Sequence, residues 1–251
     1  VRMERHPVDS SLVGVHALRY LEKARNGVPW AQTSLGYCYE NGLGVERDYK
    51  KAVEWYKKAA DAGDPLGQYN LGVCYFYALG VRRDLEKAAH MYLKAAEQGH
   101  ADAQTDVGQC YMHAEGMPLN PVEGAKWYRR AAEQGNPIGQ NNLAHCYAWG
   151  EGVDVDYKKA VAWYRKSADQ GYILGLNNLG RCYALGRGVE KDCLKALECY
   201  EKSFDIWWTA SLARLRENCV GPELVTKLFD PKGEYKKKEK NLPRINQGWI
   251  F

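Results

Sequence analysis

The fold that this sequence predicts is an all-α solenoid of five 36-residue helical-hairpin repeats with terminal capping helices. Three observations predict it. Cysteine falls at Cys38, Cys74, Cys110, Cys146 and Cys182, one every 36 residues, and the surrounding sequence repeats with it. Aligned on Ala31, Gly67, Ala103, Gly139 and Gly175, five copies superimpose without a gap. Within each copy apolar and small residues recur at helical spacing, with turn residues at fixed places between them. Stacked units of this kind bury a core shared between neighbours and present one long surface.

The elements follow in order. Residues 1–30 are expected to hold an N-terminal segment and an incomplete capping repeat, in which Tyr20, Ala24 and Gly27 take second-helix positions. Five repeats then span 31–66, 67–102, 103–138, 139–174 and 175–206. In the second copy Leu71, Cys74 and Tyr75 recur at i, i+3 and i+4, one helical face. That helix stops at Ala78-Leu79-Gly80, matched elsewhere by Gly42-Leu43-Gly44, Gly150-Glu151-Gly152 and Gly186-Arg187-Gly188, where glycine permits a left-handed residue. Asp84 sits at the cap of the second helix, with counterparts Asp48, Asn120, Asp156 and Asp192. Ala88, Tyr92, Ala95 and Ala96 make its inward stripe, and Gly99 closes it. Helices of about 12–14 residues are marginal alone, so packing must hold them. The pairs Trp55-Tyr56, Trp127-Tyr128 and Trp163-Tyr164 are expected in the core, without a binding role.

The fifth copy decays: Cys199 replaces Trp, Phe204 replaces Ala and Trp207 replaces the closing Gly. Helix is expected to continue to Glu217, with a short helix from Pro222 to Phe229, so that 207–230 form capping helices. Residues 231–251 are expected to be a basic tail with an apolar end and little regular structure.

Charge is unevenly placed. The net charge is +4, and the excess lies in the tail, where Lys232, Lys236, Lys237, Lys238, Lys240 and Arg244 face only Glu234 and Glu239. The repeats are therefore neutral, which argues against the basic face of a nucleic-acid binder. No apolar run reaches the roughly 18 residues that span a bilayer. No secretory signal opens the chain, although it begins at Val1 and a targeting segment upstream is left open. Equivalent cysteines in stacked repeats should lie about 10 Å apart, beyond the roughly 7 Å that a disulfide bridges. All eight cysteines are therefore expected to be free thiols, mostly buried, in a reducing, cytoplasmic compartment.

The copies resemble the Sel-1-like repeat (SLR) family, relatives of the tetratricopeptide repeats. Leu35-Gly36, Tyr39, Gly42, Gly44-Val45, Asp48, Lys51-Ala52, Trp55-Tyr56, Ala59-Ala60 and Gly63 carry the resemblance, which covers roughly Leu12 to Phe204. It implies a right-handed superhelix whose first helices line the concave side. It also implies a scaffold or adaptor for other proteins, with no enzymatic activity in the motif.

By analogy with the tetratricopeptide relatives, repeat positions 3, 7, 10 and 11 are expected to face a concave groove. These are Thr33, Tyr37, Glu40 and Asn41, then Tyr69, Val73, Phe76 and Tyr77, then Thr105, Gln109, Met112 and His113. The fourth copy gives Asn141, His145, Ala148 and Trp149, and the fifth Asn177, Arg181, Ala184 and Leu185. Aromatics and Met with His and Arg nearby match the composition of interaction hot spots. Position 4 holds Ser34, Asn70, Asp106, Asn142 and Asn178, whose amides suit either the backbone of an extended peptide or a bond within the scaffold. Arg181 is a candidate for an acidic side chain or a terminal carboxylate.

No catalytic arrangement stands out, no cofactor is expected, and His113, His145 and Asp106 lack the dense spacing of a metal site. The expected partner is a protein or peptide segment, with self-association through Trp249-Ile250-Phe251 as a further option. The alternative reading is a substrate-docking or regulatory module of a larger protein such as a kinase.

Overall fold

The structure is a computed structural model and describes residues 13–203. Among the described residues are eleven α-helices and no strand. Helix α1 (Val13–Arg25) precedes five pairs: α2 (Pro29–Asn41) with α3 (Tyr49–Asp61), α4 (Pro65–Tyr77) with α5 (Leu85–Glu97), and α6 (Ala101–His113) with α7 (Pro121–Glu133). The last pairs are α8 (Pro137–Trp149) with α9 (Tyr157–Asp169) and α10 (Ile173–Leu185) with α11 (Cys193–Ser203).

The starts and stops are written locally. Asp48, Asp84, Asn120 and Asp156 each accept backbone N–H bonds at the second-helix start, and Asp192 Oδ1 accepts from Lys195 N at 3.0 Å. Proline opens α2, α4, α7 and α8, where its missing N–H costs no helical bond. Every first helix ends in a left-handed residue. Glycine fills that place at Gly42, Gly150 and Gly186, but Ala78 (φ 58°) and Ala114 (φ 57°) hold it in the second and third copies.

Packing within a hairpin depends on a glycine–tyrosine pair. A Cβ on Gly36, Gly72, Gly108 or Gly180 would lie 2.5–2.7 Å from the ring of Tyr56, Tyr92, Tyr128 or Tyr200. Those rings are buried, as is Tyr164. Each such ring removes about 150–250 Å² from water, which is why the second helix cannot leave its partner cheaply. The tryptophans depart from the expected full burial. Trp127 is buried, but Trp55 and Trp163 are only half-buried. Each carries a cation from one turn on: Lys58, Arg130 and Lys166 stand 4.1, 4.2 and 3.9 Å from the ring centres of Trp55, Trp127 and Trp163.

Between repeats, glutamines make a ladder. Gln68, Gln104 and Gln140 donate through Nε2 to the carbonyls of Ala60, Ala96 and Ala132 in the preceding second helix. Each also accepts at Oε1 from Gln98, Gln134 or Gln170, at 2.8, 2.7 and 2.8 Å. Gln32 donates to Ala24 in the same way, which places α1 in the position of a second helix ahead of α2.

Each helix packs on its neighbours in sequence, and successive first helices also meet: α2 with α4, α6 with α8, and α8 with α10. Second helices make no comparable contact with one another. The stack is therefore tighter on the first-helix side, so those helices form its inner face.

Cys38, Cys74, Cys110, Cys146, Cys182 and Cys199 are free and buried. The expectation of eight free thiols is nevertheless corrected, because Cys193 is disulfide-bonded. It lies outside the 36-residue cysteine register on which that expectation rested. The expected helices within 207–230, the basic tail 231–251, Phe204, Trp207 and Trp249-Ile250-Phe251 lie outside the described residues.

Candidate functional site: the inner face of the first helices

The inner face follows helical geometry. At about 100° per residue, positions 4, 7 and 11 of each repeat fall in one stripe, together with the residue just before position 1. Position 11 (Asn41, Tyr77, His113, Trp149, Leu185) is exposed in all five copies. Tyr77 is 60% and Trp149 52% exposed, unusual for aromatics in a packed solenoid. Position 7 is half-buried at Tyr37, His145 and Arg181 and exposed at Gln109.

Position 3 is a correction. Thr33, Thr105 and Asn141 are buried, because this position turns into the seam with the next repeat. Thr33 donates to Asp64 at 2.6 Å, and Asn178 Nδ2 donates to Asn141 Oδ1 at 2.9 Å. Tyr69 is half-buried there and stacks on His100 at 4.6 Å. Asn70 is a second correction: it is buried, not presented to a ligand. Asn142 accepts from Asn141 at 3.2 Å and bonds the Tyr128 hydroxyl, so its amide and that of Asn178 serve the scaffold. At position 10, Phe76 and Met112 are half-buried and Ala184 is buried. Met112 fills the space that a Cβ on Gly124 would need.

Two clusters emerge. The first joins Tyr69, Phe76, Tyr77 and Asp106. The Phe76 ring meets Tyr77 edge-on at 4.9 Å and Tyr92 at 6.5 Å, and the Tyr69 hydroxyl bonds the Asp106 carboxyl. Burial, with Asp102 and Glu115 adding like charge, pushes the Asp106 carboxyl up to about 7 against the pull of that hydrogen bond. Burial also raises the Tyr77 hydroxyl. The second cluster joins His145, Trp149 and Arg181. His145 Nδ1 meets Glu151 at 3.2 Å, and its ring lies 6.0 Å from Trp149. The Arg181 guanidinium stands 5.7 Å from the Trp149 ring centre. Gln109 and His113 lie on the same stripe between the clusters, both exposed.

Residues missed by the sequence reading extend the face. Trp30, Leu66 and Leu174 are 49%, 47% and 45% exposed at the first-helix starts. Their signal was available, since Leu66, Asn70, Val73 and Tyr77 keep the i, i+4, i+7, i+11 spacing of one stripe. Among the described residues no group of three or more His, Cys, Asp or Glu converges as a metal cluster. No described helix is long and apolar enough to cross a membrane.

Comparison with known proteins agrees with this architecture. The Sel1 repeat family matches at residues 31–64, 65–100, 101–136, 137–172 and 173–205. A Sel1 repeat protein from Oxalobacter formigenes superimposes with a TM-score of 0.75 at 29% identity, covering 90% of this chain and 99% of that one. The protective antigen c5321 of uropathogenic Escherichia coli, which displays an SLR fold, gives a TM-score of 0.74 at 31% identity over 93% of this chain and 54% of its own. The chitin synthase regulator SKT5 of Saccharomyces cerevisiae is 50% identical over 40 residues, 16% of this chain and 6% of SKT5. The chain thus spans a small part of that curated relative. With five matched units, a hairpin closed by glycine on tyrosine, and first helices gathered on one side, the chain belongs to the Sel1 repeat family.

Proposed function

We propose that this chain is a protein–protein interaction scaffold or adaptor that binds a segment of a partner protein along the inner face of its first helices. Sel1 repeat proteins generally mediate protein–protein interaction, and the family is typically non-enzymatic. The observation that carries the finer reading is the exposure of Tyr77 and Trp149 on the stripe where Leu66, His113, Arg181 and Leu185 also lie. Large apolar rings left in water along a face rimmed by polar groups mark a binding surface. Such anchors carry most of the energy of an interface. The reading covers a partner in trans and, equally, a docking segment in a larger protein that contains these repeats.

Affinity capture with the intact chain and with a Tyr77→Ala/Trp149→Ala variant tests it, read by quantitative mass spectrometry. A protein retained by the intact chain and lost with the variant, at unchanged helicity, supports the groove. Equal recovery by both places the interface elsewhere.

A further inference from the structure

Each second helix sends one buried tyrosine toward the first helices, and the hydroxyl at its tip normally has a partner. Tyr56 donates to Glu40 at 2.6 Å, and Tyr128 bonds Asn142. Tyr164 is different. Its side chain is 0% exposed, and its hydroxyl finds no acceptor for its proton. The charged group that faces it is Arg181. A guanidinium only donates, so Arg181 cannot accept the hydroxyl proton in any arrangement. Leaving a buried donor unmatched is costly, and one that lies beneath a surface recess points to an acceptor supplied from outside.

The recess is shallow and partly open to solvent, lined by Tyr164, Trp149, Tyr157, Arg181 and Arg187. Both arginines are held by rings: Arg181 over Trp149 at 5.7 Å and Arg187 over Tyr157 at 5.8 Å. Among the described residues neither arginine has a carboxylate within ion-pair distance. Three donor groups therefore converge on one place without an acceptor, and rings flank them.

We propose that this recess is a carboxylate subsite of the groove, filled by an Asp or Glu side chain of the bound segment. Arg181 and Arg187 donate to the carboxylate oxygens, Tyr164 donates its O–H to the same group, and Trp149 and Tyr157 enclose the short apolar stem. An acceptor-only anion is the one ligand chemistry that satisfies two guanidiniums and a hydroxyl together. The exposed stripe continues to either side, at Tyr77 and at Leu185, so the segment runs past the recess and the carboxylate comes from a side chain within it. The proposal rests on the groove reading above and adds to it the chemistry of one residue of the partner.

Selection from a random twelve-residue peptide library, displayed with its C-terminus fused so that no free terminal carboxylate is offered, tests it with the full chain. The expected consensus places Asp or Glu beside an apolar residue. Replacing that acid by its amide, or making Arg181→Gln or Arg187→Gln, should weaken peptide binding about ten- to a hundred-fold, as loss of a charge-assisted bond does. Tyr164→Phe should weaken it several-fold while leaving the melting temperature unchanged or higher. Tyr56→Phe, which removes a satisfied bond, should lower the melting temperature. Peptides that bind the groove without an acid, or equal affinity for acid and amide, overturn the subsite and leave the groove standing. Enrichment of no peptide at all removes the groove reading, and the subsite with it.

Discussion

Gln134 donates through Nε2 to Oε1 of Gln104 at 2.7 Å, and Gln104 passes the connection on to the carbonyl of Ala96 at 3.1 Å. One glutamine thus ties together three helices, α5, α6 and the end of α7. The first copy breaks the ladder: Gln32 keeps its bond to Ala24, but its buried Oε1 has no partner. Ala62 stands there in place of Gln98, Gln134 and Gln170. Ala62→Gln should therefore supply the missing donor and stabilise the chain by about 1 kcal/mol, the net worth of one such bond. Gln134→Ala should cost a similar amount. Urea unfolding midpoints of the two variants check both signs.

Asp106 is the one acidic residue at position 4, where three other copies carry asparagine. Its folded-state pKa is raised, to about 7, above the unfolded value near 4. The sign follows by linkage. The carboxyl's contribution is most favourable below pH 4 and is lost as pH rises through 7, where a buried charge must be held. Asp106→Asn removes that charge and keeps an acceptor for Tyr69, so it should stabilise by about 1–3 kcal/mol at pH 8 and by little near pH 4. Melting at the two pH values measures the difference.

The six described free thiols are buried, and burial pushes Cys74, Cys110 and Cys146 up to about 12 and Cys199 to about 11. A buried thiol with so little thiolate is inert. Native alkylation at pH 8 should leave all six unmodified, and labelling in denaturant should modify all of them together. Peptide mapping of Cys110 before and after denaturation is the simplest readout.

The two turn types respond oppositely to glycine chemistry. Ala114 holds a left-handed backbone that costs an L-residue about 1–2 kcal/mol, so Ala114→Gly should be neutral to stabilising by about 1 kcal/mol. At Gly152 a Cβ would strike the backbone of Pro121 and Val122 in the preceding repeat, at a φ of 71°. Gly152→Ala should therefore lower the melting temperature distinctly. Calorimetry on the pair distinguishes relief of strain from its creation.

Much of the hairpin was legible in the sequence because its signals are local. Asp84 caps the helix that its spacing marks, and Tyr92 with Ala88, Ala95 and Ala96 lies inside. What the sequence concealed lies between repeats. Thr33 is buried because it pairs with Asp64, and Gln104 is anchored by Gln134, contacts 31 and 30 residues apart that no helical period encodes. Trp30, Leu66 and Leu174 were missed for another reason: the groove had been read from position 3 of a related repeat, whereas the inner stripe begins one residue before position 1. Cys193 escaped because its bond has nothing to do with the register that sets the other cysteines.

The central claim, that a partner segment lies along the first helices, is tested most directly by site-specific photo-crosslinking. p-Benzoylphenylalanine is placed at Tyr77 and Trp149 on the inner stripe, and at Glu54, Lys94 and Ala162 on exposed second-helix surfaces. The account predicts that crosslinks from positions 77 and 149 map to one continuous stretch of one partner, while the second-helix positions stay uncrosslinked. Crosslinks confined to positions 54, 94 and 162, with the inner stripe silent, would contradict it.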